Sequence, residues 1–234
     1  MAEPLAEKIS TSIIIPVLNE ADHLSQNLSE LFHCIGPVTD IEVIVCDGGS
    51  LDTTCDIVRQ FPCCLVHCDS GRAIQMNAGA DIAKGERLLF LHADSRLPPT
   101  FYDRFSGPAR WGFFQVKLSG HPLIFRIIEK LITVRSTITG VAGGDQGLFF
   151  DKTFFEQIGR YPAIPLMEDI AICKLARRQG KPQVCKSKII TSSRRWQEHG
   201  IAKTILTMWL LRFAFYIGVN PVRLHRVYYR NVEK

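Results

Sequence analysis

Residues 43–54 read VIVCDGGSLDTT. Four apolar residues, Val43 to Cys46, run unbroken into Asp47, two glycines and a cluster of hydroxyl and acidic groups. A continuous apolar run bounded by turn residues is the pattern of a strand buried on both faces of a parallel sheet. Ser50 is then placed to cap a helix running towards Phe61. The same change recurs on both sides. SIIIP at 12–16 reads as a buried strand, and residues 19–35 follow as an amphipathic helix with Leu24, Leu28, Leu31 and Ile35 at helical spacing. Residues 64–67 form a short strand, residues 73–84 a helix stopped by Gly85, and residues 87–91 a fourth strand. Alternation of this kind implies right-handed crossovers and a mostly parallel sheet with flanking helices, an α/β fold.

Such sheets bind ligands at the carboxyl ends of their strands. Asp47 lies just past one strand end, Asn19 and Glu20 past another, and Asp94 past the run LLFLHADS at 88–95. Three successive strands thus deliver polar groups to one rim. The chain has no G-x-x-x-x-G-K-[ST] loop, and Gly48-Gly49 lacks the G-x-G-x-x-G spacing, which disfavours P-loop enzymes and dehydrogenases. Asp47 is suited to accept from a base N–H or a ribose hydroxyl, and Gly48 and Gly49 let a ligand approach the backbone. A plain strand-to-helix turn with a cap explains DGGS equally well.

The later chain is less regular over 95–140. Residues 141–150, VAGGDQGLFF, return to a strand pattern, 168–179 reads as a helix ending at Gly180, and SKIITSS precedes Arg194-Arg195-Trp196. The 234 residues amount to one large domain or a core with an appendage; 46% are hydrophobic and 22% charged, ordinary for a protein with a real core. Eight cysteines at scattered spacings match neither a zinc site nor a disulfide framework, and the polar start of the chain resembles no signal peptide. Reduced thiols and a cytoplasmic location are expected. A net charge of +5 suits anionic phosphates or an anionic membrane surface without selecting either, and no nucleic-acid partner is expected.

The order of these stretches resembles the family 2 glycosyltransferases, which have the GT-A nucleotide-diphosphosugar transferase fold. IIIPVLNE at 13–20, VIVCDGGSLDTT at 43–54, GRAIQMNAGA at 71–80, LLFLHADS at 88–95, GGDQGLFF at 143–150 and MEDIAICKLARRQG at 167–180 carry the likeness, over roughly residues 11–200. FLHADS, GGDQ and RRW look most like the branch associated with arsenosugar biosynthesis. The resemblance implies a nucleoside pocket lined by Pro16, Asn19, Glu20, Asp47, Gly48, Gly49, Arg72 and Asn77, and Asp94 on a divalent metal, Mn²⁺ or Mg²⁺. It implies Asp169 as catalytic base, with Gly144, Asp145, Gln146, Glu168, Arg195 and Trp196 near the acceptor or phosphates. The donor it implies is a nucleotide-sugar, with uracil as base, and the acceptor is unknown. One base and no protein nucleophile predict inversion at the anomeric carbon.

The chain departs from the family where a metal motif with carboxylates two apart would stand, because His92 occupies the first position. His92 is either a direct ligand or a neutral spacer hydrogen-bonded to its own loop. Glu168 and Asp169, as acids opening a helix, also suit the macrodipole alone. Arg194-Arg195-Trp196 suits phosphate and sugar, or is a solvated basic turn. A sugar-nucleotide pyrophosphorylase would need a G-x-G-T-R-L-like loop where PVLNEADHL stands. A non-catalytic nucleotide-sugar-binding protein draws support from His92.

Residues 201–234 form a helical extension beyond the 1–200 domain. IAKTILTMWLLRFAFYIGV at 201–219 reads as a core or homodimer helix, as a membrane-surface helix with a snorkelling arginine, or as a span that Lys203 and Arg212 penalise. The second of these would place the protein at the periphery of the inner membrane face.

Overall fold

A computed structural model describes residues 9–38, 40–99, 101, 108–120, 122–194 and 200–230. Arg195 and Trp196 lie outside the described residues. The strands are β1 (Thr11–Val17), β2 (Ile41–Asp47), β3 (Cys64–His67), β4 (Arg87–Phe90), β5 (Ser95–Arg96), β6 (Trp111–Leu118), β7 (Leu148–Asp151) and β8 (Gln183–Thr191). The helices are α1 (Ala21–Ile35), α2 (Thr54–Val58), α3 (Arg72–Ile82), α4 (Leu123–Thr139), α5 (Lys152–Gln157), α6 (Glu168–Ala176), α7 (Ile201–Tyr216) and α8 (Pro221–Arg230), with a 3-10 turn at Gly144–Gln146.

All eight strands join one sheet in the order β3-β2-β1-β4-β7-β6-β8-β5. The β3-β2-β1-β4 half is parallel throughout; β7 then runs antiparallel to both β4 and β6, and β6 pairs with β8 in parallel. Successive strand residues point to opposite faces, so the run at 13–15 feeds two cores. Ile13 and Ile15 meet Leu24, Leu28, Leu31 and Ile35 of α1 on one face, while Ile14 meets Ala73, Met76 and Ala80 of α3 on the other. Each such aliphatic side chain contributes about 1.5–3 kcal/mol when fully buried.

Ser50 does not cap a helix. Its N–H donates to the Asp47 carboxylate at 3.1 Å and its hydroxyl accepts from the Asn19 N–H at 2.9 Å. The helix starts at Thr54, whose N–H is held by Asp52 at 3.0 Å, and it is only five residues long. The stretch read as less regular contains both β6 and the 17-residue α4. Of LIFRIIEKLITV, the core takes Phe125, Ile128 and Glu129, so the apolar pattern runs all round the helix and hides its period. The strand expected over 141–150 is a loop and the 3-10 turn before β7, and α6 ends at Ala176, short of Gly180. Among the described residues no helix is long and apolar enough to cross a membrane.

Helix α3 lies close on the sheet. A Cβ added at Gly79 would sit 2.5 Å from Ile14 Cγ2 and 2.8 Å from Cys46 Sγ. In an open helix, replacing glycine with alanine stabilises by about 1 kcal/mol. Here the clash reverses the sign, since overpacking a tight core costs about 1–3 kcal/mol. Gly79→Ala is expected to lower the urea midpoint at unchanged m value; a raised midpoint would show that α3 can move away.

Candidate active site

The rim is stitched together before any ligand arrives. Asn19, at φ 53°, accepts from the Leu51 N–H at 2.8 Å, and the Glu20 N–H donates to Thr54 Oγ1 at 2.8 Å. These bonds tie the loop after β1 to the loop after β2. Gln75 of α3 donates its amide to the carbonyls of Val17 and Cys46, at 2.7 and 2.9 Å, which holds the two strand ends together. A side chain at Gly48 would press on that amide, 3.0 Å from its carbon, so the turn needs glycine for packing. Gly49 has φ 91° and open space around it.

Asp47 is 2% exposed and accepts from the N–H groups of Gly49 and Ser50. Burial pushes its pKa up, but hydrogen bonds from Ser50, Gly49 and Cys55 outweigh this and leave it below the usual carboxylate range. His67 Nδ1 lies 3.4 Å from its Oδ2. Asp47, Cys55 and His67 are also the one group of three such ligands, among the described residues, with donor atoms mutually within 4.8 Å. A metal-sized cluster therefore sits at the carboxyl end of β2, and it does not include Asp94.

Asp94 is exposed in the turn between β4 and β5. Its loop is pinned by Asn27 of α1, which donates to the Ala93 carbonyl at 2.7 Å, and by the Arg96–Glu30 ion pair at 2.9 Å. The charge of Asp94 is felt at Glu20 and at Asp145, and in both it helps raise the pKa that burial has already raised, for Asp145 to about 6. The exposed carboxylate of Asp94 is a hard oxygen donor of the kind that suits Mg²⁺ or Mn²⁺ completed by phosphate oxygens. The His92 ring packs on the backbone of Gly144, where any side chain would meet its Nε2 and Cε1.

Asp169 stands in the first turn of α6. Its Oδ2 accepts from the Gly144 N–H at 2.9 Å and its Oδ1 from the Ile170 N–H at 2.7 Å. Burial raises its pKa, while these bonds and the charges of Arg72 and Arg135 pull it back. Met167 just before the helix has φ 71°, a strained backbone of the kind found beside functional groups. Glu168 is 5% exposed; burial, then the Asp169 charge, pushes its pKa to about 7, against a counter-pull from Arg72.

The remaining expected residues divide. Pro16 lies within β1, under the rim. Arg72 is exposed at the start of α3 and acts electrostatically on Glu20, Glu168 and Asp169. Asn77 is spent on the fold, its amide donating to the Tyr161 carbonyl and accepting from the Tyr161 N–H. Gln146 is fully buried and bonded to Phe114, Ser136 and Gly143, so it shapes the loop before β7.

Three arginines had no place among the expected site residues. Arg135 of α4 is desolvated beside Asp145 and Asp169, with its Nε buried and without a hydrogen-bond partner among the described residues. Arg212 of α7 brings a guanidinium nitrogen to 3.5 Å from where a Gly143 Cβ would stand, so it faces the loop before β7 and does not snorkel. Arg194 acts electrostatically on Glu20.

Against this geometry, residues 12–116 match the model of the family described as glycosyl transferase family 2. A PGL/p-HBAD biosynthesis glycosyltransferase of Mycobacterium bovis is 40% identical over 93 residues, covering 37% of this chain and 36% of that protein. The chain therefore spans little more than a third of that relative. The mannosyltransferase PcManGT of Pyrobaculum calidifontis, solved with GDP-Man and Mn²⁺, superposes with a TM-score of 0.64 at 20% identity, over 87% of this chain and 60% of that one. TarS 1-349 of S. aureus, solved with UDP-GlcNAc, gives 0.62 at 17% identity, over 78% and 58%. The fold is the GT-A fold, and the first half of the chain is similar to family 2 glycosyl transferases.

The raised pKa of Glu168 has a stability consequence. A carboxyl whose folded pKa lies above its unfolded value, here about 7 against 4.5, adds stability below the unfolded value. That stability is lost as pH rises through the folded one. Metal-free protein is expected to lose on the order of 1–3 kcal/mol from this group between pH 4.5 and about 7.5. Glu168→Gln should flatten that part of the profile in chelator-treated urea titrations. A variant profile parallel to wild type would exclude the burial of this charge.

Proposed function

We propose that this protein is an inverting glycosyltransferase that moves a sugar from a nucleotide-diphosphosugar, with uracil as base, to an acceptor hydroxyl. The observation that carries the proposal is the placing of Asp169. Its carboxylate is gripped by the Gly144 and Ile170 N–H groups, beside Asp145 and Arg135, on the same rim as Asp47 and Asp94. The relatives named for glycosyl transfer, and the similarly folded enzymes solved with UDP-GlcNAc or with GDP-Man and Mn²⁺, support the same class.

Asp47, ionised and aimed along the strand end, accepts from the base. Arg72 faces the reacting region and counters its negative charge. Asp94 would hold a divalent cation, which would supply Lewis-acid stabilisation of the departing diphosphate. Asp169 takes the proton of the acceptor hydroxyl as it attacks, because such a hydroxyl is far too weak an acid to ionise at neutral pH. The hydrogen bonds from Gly144 and Ile170 offset part of the rise that burial imposes on its pKa. A single base without a protein nucleophile gives direct displacement and inversion. The closer placing in the arsenosugar-associated branch rests on FLHADS, GGDQ and RRW.

Asp169→Asn keeps the size and the helix start but removes the basicity. The transfer rate is expected to fall about 10²–10⁴-fold with UDP binding retained. If Asp169 were only a favourable helix-terminus charge, the variant would lose about 0.3–1 kcal/mol of stability and keep its turnover. Glu168→Gln, measured alongside, shows which of the two acids is the base.

Asp47→Ala is expected to weaken UDP binding by about 1.5–3 kcal/mol in calorimetry, the cost of a charged hydrogen bond. Unchanged affinity in the folded variant would remove Asp47 from the donor site.

A further inference from the structure

Helices α4 and α7 carry more exposed apolar surface than a soluble face needs. On α4, Leu123, Ile127, Leu131, Val134 and Ile138 recur every three or four residues, and all are exposed, Leu123 at 83% and Ile138 at 79%. On α7, Leu206, Trp209, Leu210, Phe213 and Tyr216 are likewise exposed, Trp209 at 71% and Phe213 at 63%. The helices are neighbours, because Ile201 and Ile205 of α7 pack on the cluster of Phe125 and Ile128 in α4. Contiguous exposed patches of this kind mark an interaction site.

The charges around the patch say what it meets. Lys130 on α4, Lys203 on α7, and Arg223 and Arg226 on α8 are all exposed. The one carboxylate on these three helices, Glu129, is buried and paired with Arg126 at 2.8 Å. An apolar face on helices whose exposed charges are all cationic, carrying Trp209 and Tyr216, complements an anionic bilayer surface. A second copy apposed through the same patch would set like charges against each other. With 16 residues, about 24 Å of helix, α7 is too short for a hydrocarbon core of about 30 Å, so it lies on the surface rather than crossing it.

We propose that α4 and α7 together form a docking face for an anionic lipid bilayer, with their apolar stripes in the headgroup boundary and the basic rim on the lipid phosphates. The sequence pointed only to 201–219; α4 supplies the other half. The face borders the acceptor side of the rim, since Leu211 of α7 packs with Met167 and Ile170 around α6. If the protein transfers a sugar, docking sets that side against the membrane; the docking itself does not depend on that reading, and neither does its test.

The test is flotation with vesicles of phosphatidylcholine alone or mixed with phosphatidylglycerol. Wild type is expected to float with the mixed vesicles, less so as NaCl is raised, and weakly with phosphatidylcholine alone. Trp209→Glu/Phe213→Glu and Leu131→Glu/Ile138→Glu should each cut partitioning about tenfold or more, while Ile82→Glu on α3, another exposed apolar site, should not. Unchanged melting temperatures would confirm that the variants fold. Wild type remaining soluble with every vesicle would overturn the proposal. So would a wild-type dimer, seen by light scattering, that these variants dissociate, which would give the face to a second copy.

Discussion

The hydrogen bond from the Gly144 N–H to the Asp169 carboxylate, 2.9 Å long, joins the two segments on which the site depends. One is the loop leading into β7, the other the first turn of α6. Neither would hold its place alone: the loop is a short 3-10 turn, and α6 begins at a methionine with left-handed backbone. Gly144 has to be glycine because the His92 ring occupies the space a side chain would need. The loop after β4, the loop before β7 and the start of α6 are thereby packed into one unit, with Asp94, Asp145 and Asp169 on it.

Such a unit concentrates negative charge. Glu20, Asp145, Glu168 and Asp169 all have raised pKa values, for each of which burial is the leading cause. The counter-charge comes from distant parts of the chain: Arg72 on α3, Arg135 on α4 and Arg194 after β8. The same excess explains why the buried Arg135 is tolerated: its desolvation is offset by the charges of Asp145 and Asp169.

The parallel half of the sheet was legible because fully buried strands leave unbroken apolar runs, and α1 because its three core leucines and one isoleucine share one face. The positions of Asp47 at a strand end, of Asp94 in the turn after β4 and of Asp169 at a helix start were legible from the same local pattern. What failed did so where tertiary contacts overrode local pattern. Ser50 looks like a cap, but Asp47 and Asn19 compete for its groups. Asn77 and Gln146 sit in matching motifs, yet their amides close internal gaps, at Tyr161 and at Phe114, Ser136 and Gly143. Helix α4 was invisible because its apolar residues face both the core and the outside.

By itself, the sequence determined the strand–helix alternation, the rim on which the carboxylates stand and the order of stretches shared with family 2 glycosyltransferases. These follow from local periodicity and from residues adjacent in the chain. Only the tertiary structure decided that β7 enters the sheet antiparallel to both β4 and β6, that His92 packs on Gly144, and that Arg135 and Arg212, 77 positions apart in the sequence, turn towards the same loop before β7. Those arrangements are contacts between segments remote in sequence. They are set by which faces can be buried together and which charges must be countered once buried, and no local pattern encodes either.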